Sequence, residues 1–137
     1  MAITCEDRAA ITEVIARHGH LIDSGELDRL DEVFTADVTY DLTDFGQQVL
    51  RGPRALAAAG WALGELNPVG HHVTNIILAE AADGTVQAWS KGIGVNADGT
   101  CGSVTYEDVV VCGDRGWRIS QRKILARRTP LGGKLNS

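Results

Sequence analysis

A chain of 137 residues, 44% hydrophobic and 23% charged, fits one domain with its own core and is not a disordered segment. No apolar run approaches the roughly 20 residues of a membrane helix. The net charge of -5 argues against a general nucleic-acid binder. The N-terminus lacks a basic region followed by an apolar one, so no leader is expected. Cys5, Cys101 and Cys112 are odd in number and widely spaced, which fits neither a metal pattern nor a disulfide framework. Reduced thiols in a cytoplasm are the expectation. Seven of the thirteen basic residues fall from Arg115 onward, where they either bind an anionic ligand or, as the simpler use, pair with the acidic N-terminal half.

Thr4, with Asp7 three residues later, predicts a capped helix start. Ile11, Val14, Ile15, His18 and Ile22 then recur at helical spacing, so the first helix runs from about Cys5 to Asp23. His18 falls on its buried stripe and His20 off it. Leu27, Leu30, Val33 and Phe34 predict a short second helix. Val38 to Leu42 reads as a strand, and Asp44 to Gly52 as a loop or hairpin excursion. Gly52-Pro53 opens a third helix with proline in its first turn. Leu56, Ala57, Gly60, Trp61 and Leu63 are its expected buried face, and Asn67-Pro68 ends it.

Four strands follow: His71–Glu80, Val86–Val95, Gly102–Cys112 and Trp117 to about Arg127. Asp83-Gly84 and Asp98-Gly99 are hairpin signals between them. The order is α+β, helices covering one face of an antiparallel meander. The expected domain is 1–131, with 132–137 a flexible tail.

There is no phosphate-cradling glycine loop, nucleophile elbow or adjacent metal-ligand cluster. No metal or other cofactor is expected. Asp23 sits at a helix end between apolar Leu21-Ile22 and the turn residues Ser24-Gly25. An acid there opposes the helix dipole at roughly 0.3–1 kcal/mol. It is either a solvated turn residue or a carboxylate turned inward onto a histidine, with His18, His20, His71 and His72 as candidates. His71 and His72 are adjacent in a strand and point to opposite faces. Strict alternation groups His71 with Val73, Asn75 and Ile77, and His72 with Thr74, Ile76 and Leu78, and leaves open which set faces inward.

The element order resembles the nuclear transport factor 2-like cone, and within it the SnoaL-like branch. The residues that carry the resemblance are Asp7-Arg-Ala-Ala-Ile, Asp23-Ser-x-x-x-Asp28-Arg-Leu, Phe34-x-x-Asp37, Gly52, His71-x-x-x-Asn75, Tyr106-Glu-Asp and Gly116-Trp-Arg-Ile. The resemblance implies a curved mixed or antiparallel sheet and three N-terminal helices enclosing a pocket. Members of the branch include hexachlorocyclohexane dehydrochlorinase and scytalone dehydratase. By similarity to the dehydrochlorinase, Asp23 and His71 form an acid–base dyad, His18 stands at a pocket lysine and Arg122 at a pocket arginine. The tyrosines of the dehydratase are replaced by Ile22 and Leu42.

The implied function is a cofactor-free lyase or isomerase that abstracts a proton from a small hydrophobic, sometimes cyclic, substrate. His18, Tyr40, Trp61, Asn75, Tyr106 and Arg122 are the implied substrate contacts. Arg122, or a protonated His18, is expected to stabilise the developing anion. A natural-product cyclase or epoxide-opening enzyme, and a non-catalytic ligand-binding module, are the alternatives. The resemblance implies a homodimer or homotrimer through the outer sheet face, and Val109-Val110-Val111 suits such a contact.

Overall fold

The computed structural model describes residues 2–134; part of the expected flexible tail, 135–137, lies outside the described residues. Helix α1 spans Cys5–Asp23. Thr4 Oγ1 accepts from the Asp7 amide at 3.0 Å, and Asp7 Oδ2 accepts from the Thr4 amide at 2.9 Å. This capping box satisfies two of the helix's orphan donors. The other Asp7 oxygen accepts from Trp117 Nε1 at 3.1 Å, tying the helix start to the last strand. The buried stripe is Ile11, Val14, Ile15, His18, Gly19 and Leu21; the expected Ile22 is only half-buried.

The second predicted helix is a 3-10 turn over Leu27–Glu32 that stops before Phe34. Three residues per turn align side chains at i and i+3. Leu27 and Leu30 therefore stack inward, while Arg29 bridges Glu26 at 2.8 Å and Glu32 at 2.6 Å. Phe34 belongs to strand β1, Phe34–Asp41. The excursion after it is a hairpin, with β2 (Val49–Arg51) antiparallel to β1.

Helix α2 spans Pro53–Leu63. It rests on the 3-10 turn, β1 and β2. Leu56 is buried, and Gly60 lets Leu27 lie against the helix: a Cβ there would stand 2.9 Å from Leu27 Cδ1. The expected burial of Trp61 and Leu63 is corrected, since they are 64% and 45% exposed. At 3.6 residues per turn Trp61 is rotated about 140° from Leu56, and Leu63 is the last residue of the helix. The Asn67 amide caps this end, donating to Gly60 O at 2.9 Å and Gly64 O at 2.8 Å.

Strands β3 (Gly70–Glu80), β4 (Val86–Val95), β5 (Cys101–Gly113) and β6 (Gly116–Ala126) form the expected meander. β1 joins it parallel to β6, and the sheet order is β2-β1-β6-β5-β4-β3. The sheet is mixed, and α1 packs on it across β3 and β6.

Two bulges reset the alternation of inward and outward side chains. On β3, Thr74 pairs with Lys91 and Ile77 with Trp89, so Asn75 and Ile76 together oppose Ser90. Asn75 takes φ 57°, a left-handed conformation asparagine tolerates better than most residues. His71 and Val73 therefore share the inner side with Ile76 and Leu78, which corrects the strict alternation. On β6, Ile119 pairs with Val110 but Gln121 with Val109, so Ser120 is the extra residue. Trp117 and Ile119 face the core before it, and Arg122 and Ile124 after it. Val110 is fully buried in the core, so within Val109-Val110-Val111 only the flanking valines are left for the outer face.

Candidate active site

Asp23 and His71 come together from 48 positions apart. Asp23 Oδ1 lies 2.6 Å from His71 Nδ1, and Oδ2 accepts from the His71 backbone amide at 3.0 Å. One carboxylate thus grips one residue at ring and backbone. Because a carboxylate accepts, Nδ1 carries a proton, and in the neutral ring Nε2 then offers its lone pair. The side chains keep 20% and 29% exposure for His71 and Asp23, so the pair is reachable.

Gly19 makes this approach feasible. A Cβ there would stand 2.6 Å from the His71 carbonyl oxygen. Only a residue without a side chain lets the last turns of α1 lie this close to β3.

The second group is fully internal. Arg122 is 1% exposed and Asp108 3%. They form a bidentate pair, Nε to Oδ1 at 2.7 Å and Nη2 to Oδ2 at 2.8 Å. The guanidinium lies 4.2 Å from the Tyr106 ring centroid, a cation–π contact. Its Nη1 is 3.1 Å from His18 Nδ1. His18 packs edge-on against Phe34 and Tyr40, with centroids 5.2 and 6.0 Å away.

Burial first, then Arg122 and then His71, hold the His18 pKa well below the ordinary histidine value. His18 is therefore neutral, which corrects the expectation of a protonated His18 stabilising an anion. Arg122 also departs from its expected part as a substrate contact: it is spent on Asp108, His18 and Tyr106 and is sealed from solvent.

The remaining expected contacts divide. Tyr40 and Tyr106 are 8% and 7% exposed and face inward beside Arg122. Burial raises the pKa of both hydroxyls, with Arg122 opposing the rise. Trp61 does not line an enclosed site; its ring reaches toward Gly25 at the helix break and is otherwise exposed. Asn75 is an exposed bulge residue whose Oδ1 accepts from Thr74 Oγ1 at 2.6 Å, so its side chain serves the bend. His72 is exposed on the outer side of β3. Asp108 was not anticipated as a site residue. Its signal was present in Tyr106-Glu107-Asp108: two residues on from Tyr106, it shares that residue's face. Ser90, across from Tyr106, has a buried hydroxyl with no partner among the described residues.

No cluster of three or more histidine, cysteine or acidic residues suited to a metal occurs among the described residues. No helix among them is long and apolar enough to cross a membrane. A groove of about 390 Å³ lies on the outer sheet face, among Thr39, Gln87, Trp89, Glu107, Gln121 and Lys123. Neither Asp23 nor His71 lines it.

A curved six-stranded sheet with helices packed on one face is the fold of the nuclear transport factor 2-like class. A family model for the SnoaL-like domain matches residues 4–123, and the chain belongs to that family. Among solved structures, an NTF2-like protein with a cystatin-like fold from Novosphingobium aromaticivorans is 27% identical, with 88% of this chain and 82% of that chain covered and a TM-score of 0.72. A single-substitution variant of Rv3472 from Mycobacterium tuberculosis, of unknown function, is 22% identical, with 93% and 80% covered and a TM-score of 0.80. A protein provisionally described as a scytalone dehydratase, also from Novosphingobium aromaticivorans, is 18% identical, with 88% of this chain and 84% of that chain covered and a TM-score of 0.71. Curated proteins yield no significant match.

Proposed function

We propose that the protein is a lyase or isomerase that abstracts a proton from a carbon acid, with Asp23 and His71 as its orienting acid and general base. The two-point bond from Asp23 to His71 is the observation that carries this reading. It fixes the tautomer, holds the ring, and leaves Nε2 free to act. Nε2 takes the proton, the broken C–H electron pair moves onto the substrate, and Asp23 stabilises the imidazolium that forms. The same proton then returns to a different atom of the substrate or goes to a leaving group. General-base catalysis of this kind supplies roughly 10²–10⁴ in rate.

Phe34, a core residue whose ring packs edge-on against His18, gives the inner site an apolar neighbour that suits a small hydrophobic substrate. Exposed Ile77, Trp89 and Ile93 support assembly of the protein through its outer sheet face.

The test is solvent deuterium exchange at the α-carbon of cyclic ketones, 2-tetralone first, followed by NMR. The native protein is expected to exchange the proton well above the buffer rate, and Asp23→Asn and His71→Ala to lose this. Exchange by those variants at the native rate overturns the proposal. So does absence of exchange in the native protein while the ketone still binds, which assigns the chain to ligand binding without turnover.

A further inference from the structure

The inner wall of the site holds a second histidine with an unusual set of partners. An arginine only donates hydrogen bonds, so His18 Nδ1, 3.1 Å from Arg122 Nη1, must accept. The His18 proton is therefore on Nε2. No group among the described residues bonds Nε2. The buried side-chain nitrogen and oxygen atoms that lack a partner among those residues are Thr35 Oγ1 and Ser90 Oγ, so Nε2 is unbonded without being sealed. The ring lies within electrostatic reach of the dyad, since His71 is among the groups that act on it.

Resting on the Asp23–His71 reading, we infer that His18 is the electrophilic partner of that base, a neutral imidazole whose Nε2–H hydrogen-bonds the carbonyl oxygen of an uncharged substrate while His71 removes the adjacent proton. The C–H bond breaks, its electron pair forms the C–C double bond of an enolate, and the carbonyl electrons move onto the oxygen held by His18. The proton rests on His71 Nε2, and His18 keeps its own.

Arg122 and Asp108 are positioning residues in this scheme. Arg122 fixes the tautomer by donating to Nδ1, and its charge opposes protonation of the ring. Asp108 pairs with Arg122 at two points, so the arginine is not a stranded buried charge. The charged and titratable groups around His18 are Arg122 on β6, Asp108 behind it on β5, His71 on β3 and Tyr40 on β1. Because Asp108 pairs with the one cation among them, the site offers a neutral donor rather than a free positive charge. The substrate class that fits is a hydrophobic ketone or ester. A carboxylate would meet Asp23 with no cation to offset it.

The test combines spectroscopy and exchange. Nitrogen-detected imidazole NMR of the native protein is expected to show His18 as a single Nε2–H tautomer from about pH 6.5, where an ordinary histidine is half protonated, to about pH 8. With 2-tetralone, His18→Phe is expected to lower α-proton exchange about 10²–10³-fold, mostly in kcat. His18→Gln is expected to restore much of it, because its amide both accepts from Arg122 and donates to the substrate. If His71→Ala abolishes exchange while His18→Phe and His18→Gln both match the native protein, the base stands and the electrophile falls. Protonation of His18 within that pH window, or a proton on Nδ1, overturns the inference without any substrate, even if His18→Phe fails to fold.

Discussion

Gly19 and His71 meet so closely that a methyl on the glycine would stand 2.6 Å from the histidine's carbonyl oxygen. Gly19→Ala gains about 1 kcal/mol of helix propensity. The clash is with backbone, which cannot rotate away, and overpacking costs about 1–3 kcal/mol. The expected net effect is a loss of stability, read by chemical denaturation. A shift of about 1 Å between Asp23 and His71 costs on the order of 10²-fold in turnover.

Asp23→Asn leaves the site nearly isosteric but mismatched. Both carboxylate oxygens face donors on His71, the ring Nδ1–H and the backbone amide. An asparagine turns its NH₂ on one of the two in either orientation. Proton abstraction is expected to fall about 10²–10⁴-fold, with a smaller change in substrate affinity. Comparison of kcat with KM checks this.

Breaking the Asp108–Arg122 pair strands a charge in the interior. Asp108→Ala is expected to cost about 3–5 kcal/mol, because Arg122 then lacks its counter-charge. The double variant Asp108→Leu with Arg122→Met is expected to be more stable than the sum of the singles predicts. Urea unfolding of the four proteins gives the cycle.

Stability is expected to fall as pH drops from neutrality through about 6.5. The folded His18 pKa is lowered by burial, then by Arg122 and His71, so the unfolded state binds the proton first. Stability rises with pH wherever the unfolded chain holds more protons, and the loss here begins near the unfolded pKa and continues down to the folded one. The lowered carboxylates Asp7, Asp41, Asp83 and Asp98 act only below their ordinary value of 3.8, and Glu32 below 4.5, a separate window. His18→Gln is expected to flatten the higher window and leave the lower one, in unfolding curves taken at stepped pH.

Trp61 and Leu56 lie on the same helix and should respond differently. Trp61 is 64% exposed and Leu56 8%. Trp61→Ala is expected within about 0.5 kcal/mol of native stability, against about 2–5 kcal/mol lost in Leu56→Ala. Thermal unfolding distinguishes the two.

Local chemistry alone determined the elements. The Thr4–Asp7 box, the apolar spacing of α1, Gly52-Pro53 and the Asp-Gly turns each act within a few residues, and the structure has α1 at Cys5–Asp23 and β4 at Val86–Val95, the expected bounds. The last two strands are displaced by only a residue or so at their ends. The inward set after each bulge was not legible in this way. A bulge depends on how two strands pair, and one extra residue moves every later side chain to the other face. Strict alternation from Trp117 and Ile119 would send Arg122 to solvent, whereas the Ser120 bulge buries it against Asp108. The same kind of shift at Asn75 separates that residue from the side of His71. The neutral state of His18 is likewise a property of its tertiary neighbours. A histidine on a buried stripe takes either charge state, and what holds this one neutral is its full burial together with an arginine 104 positions away along the chain.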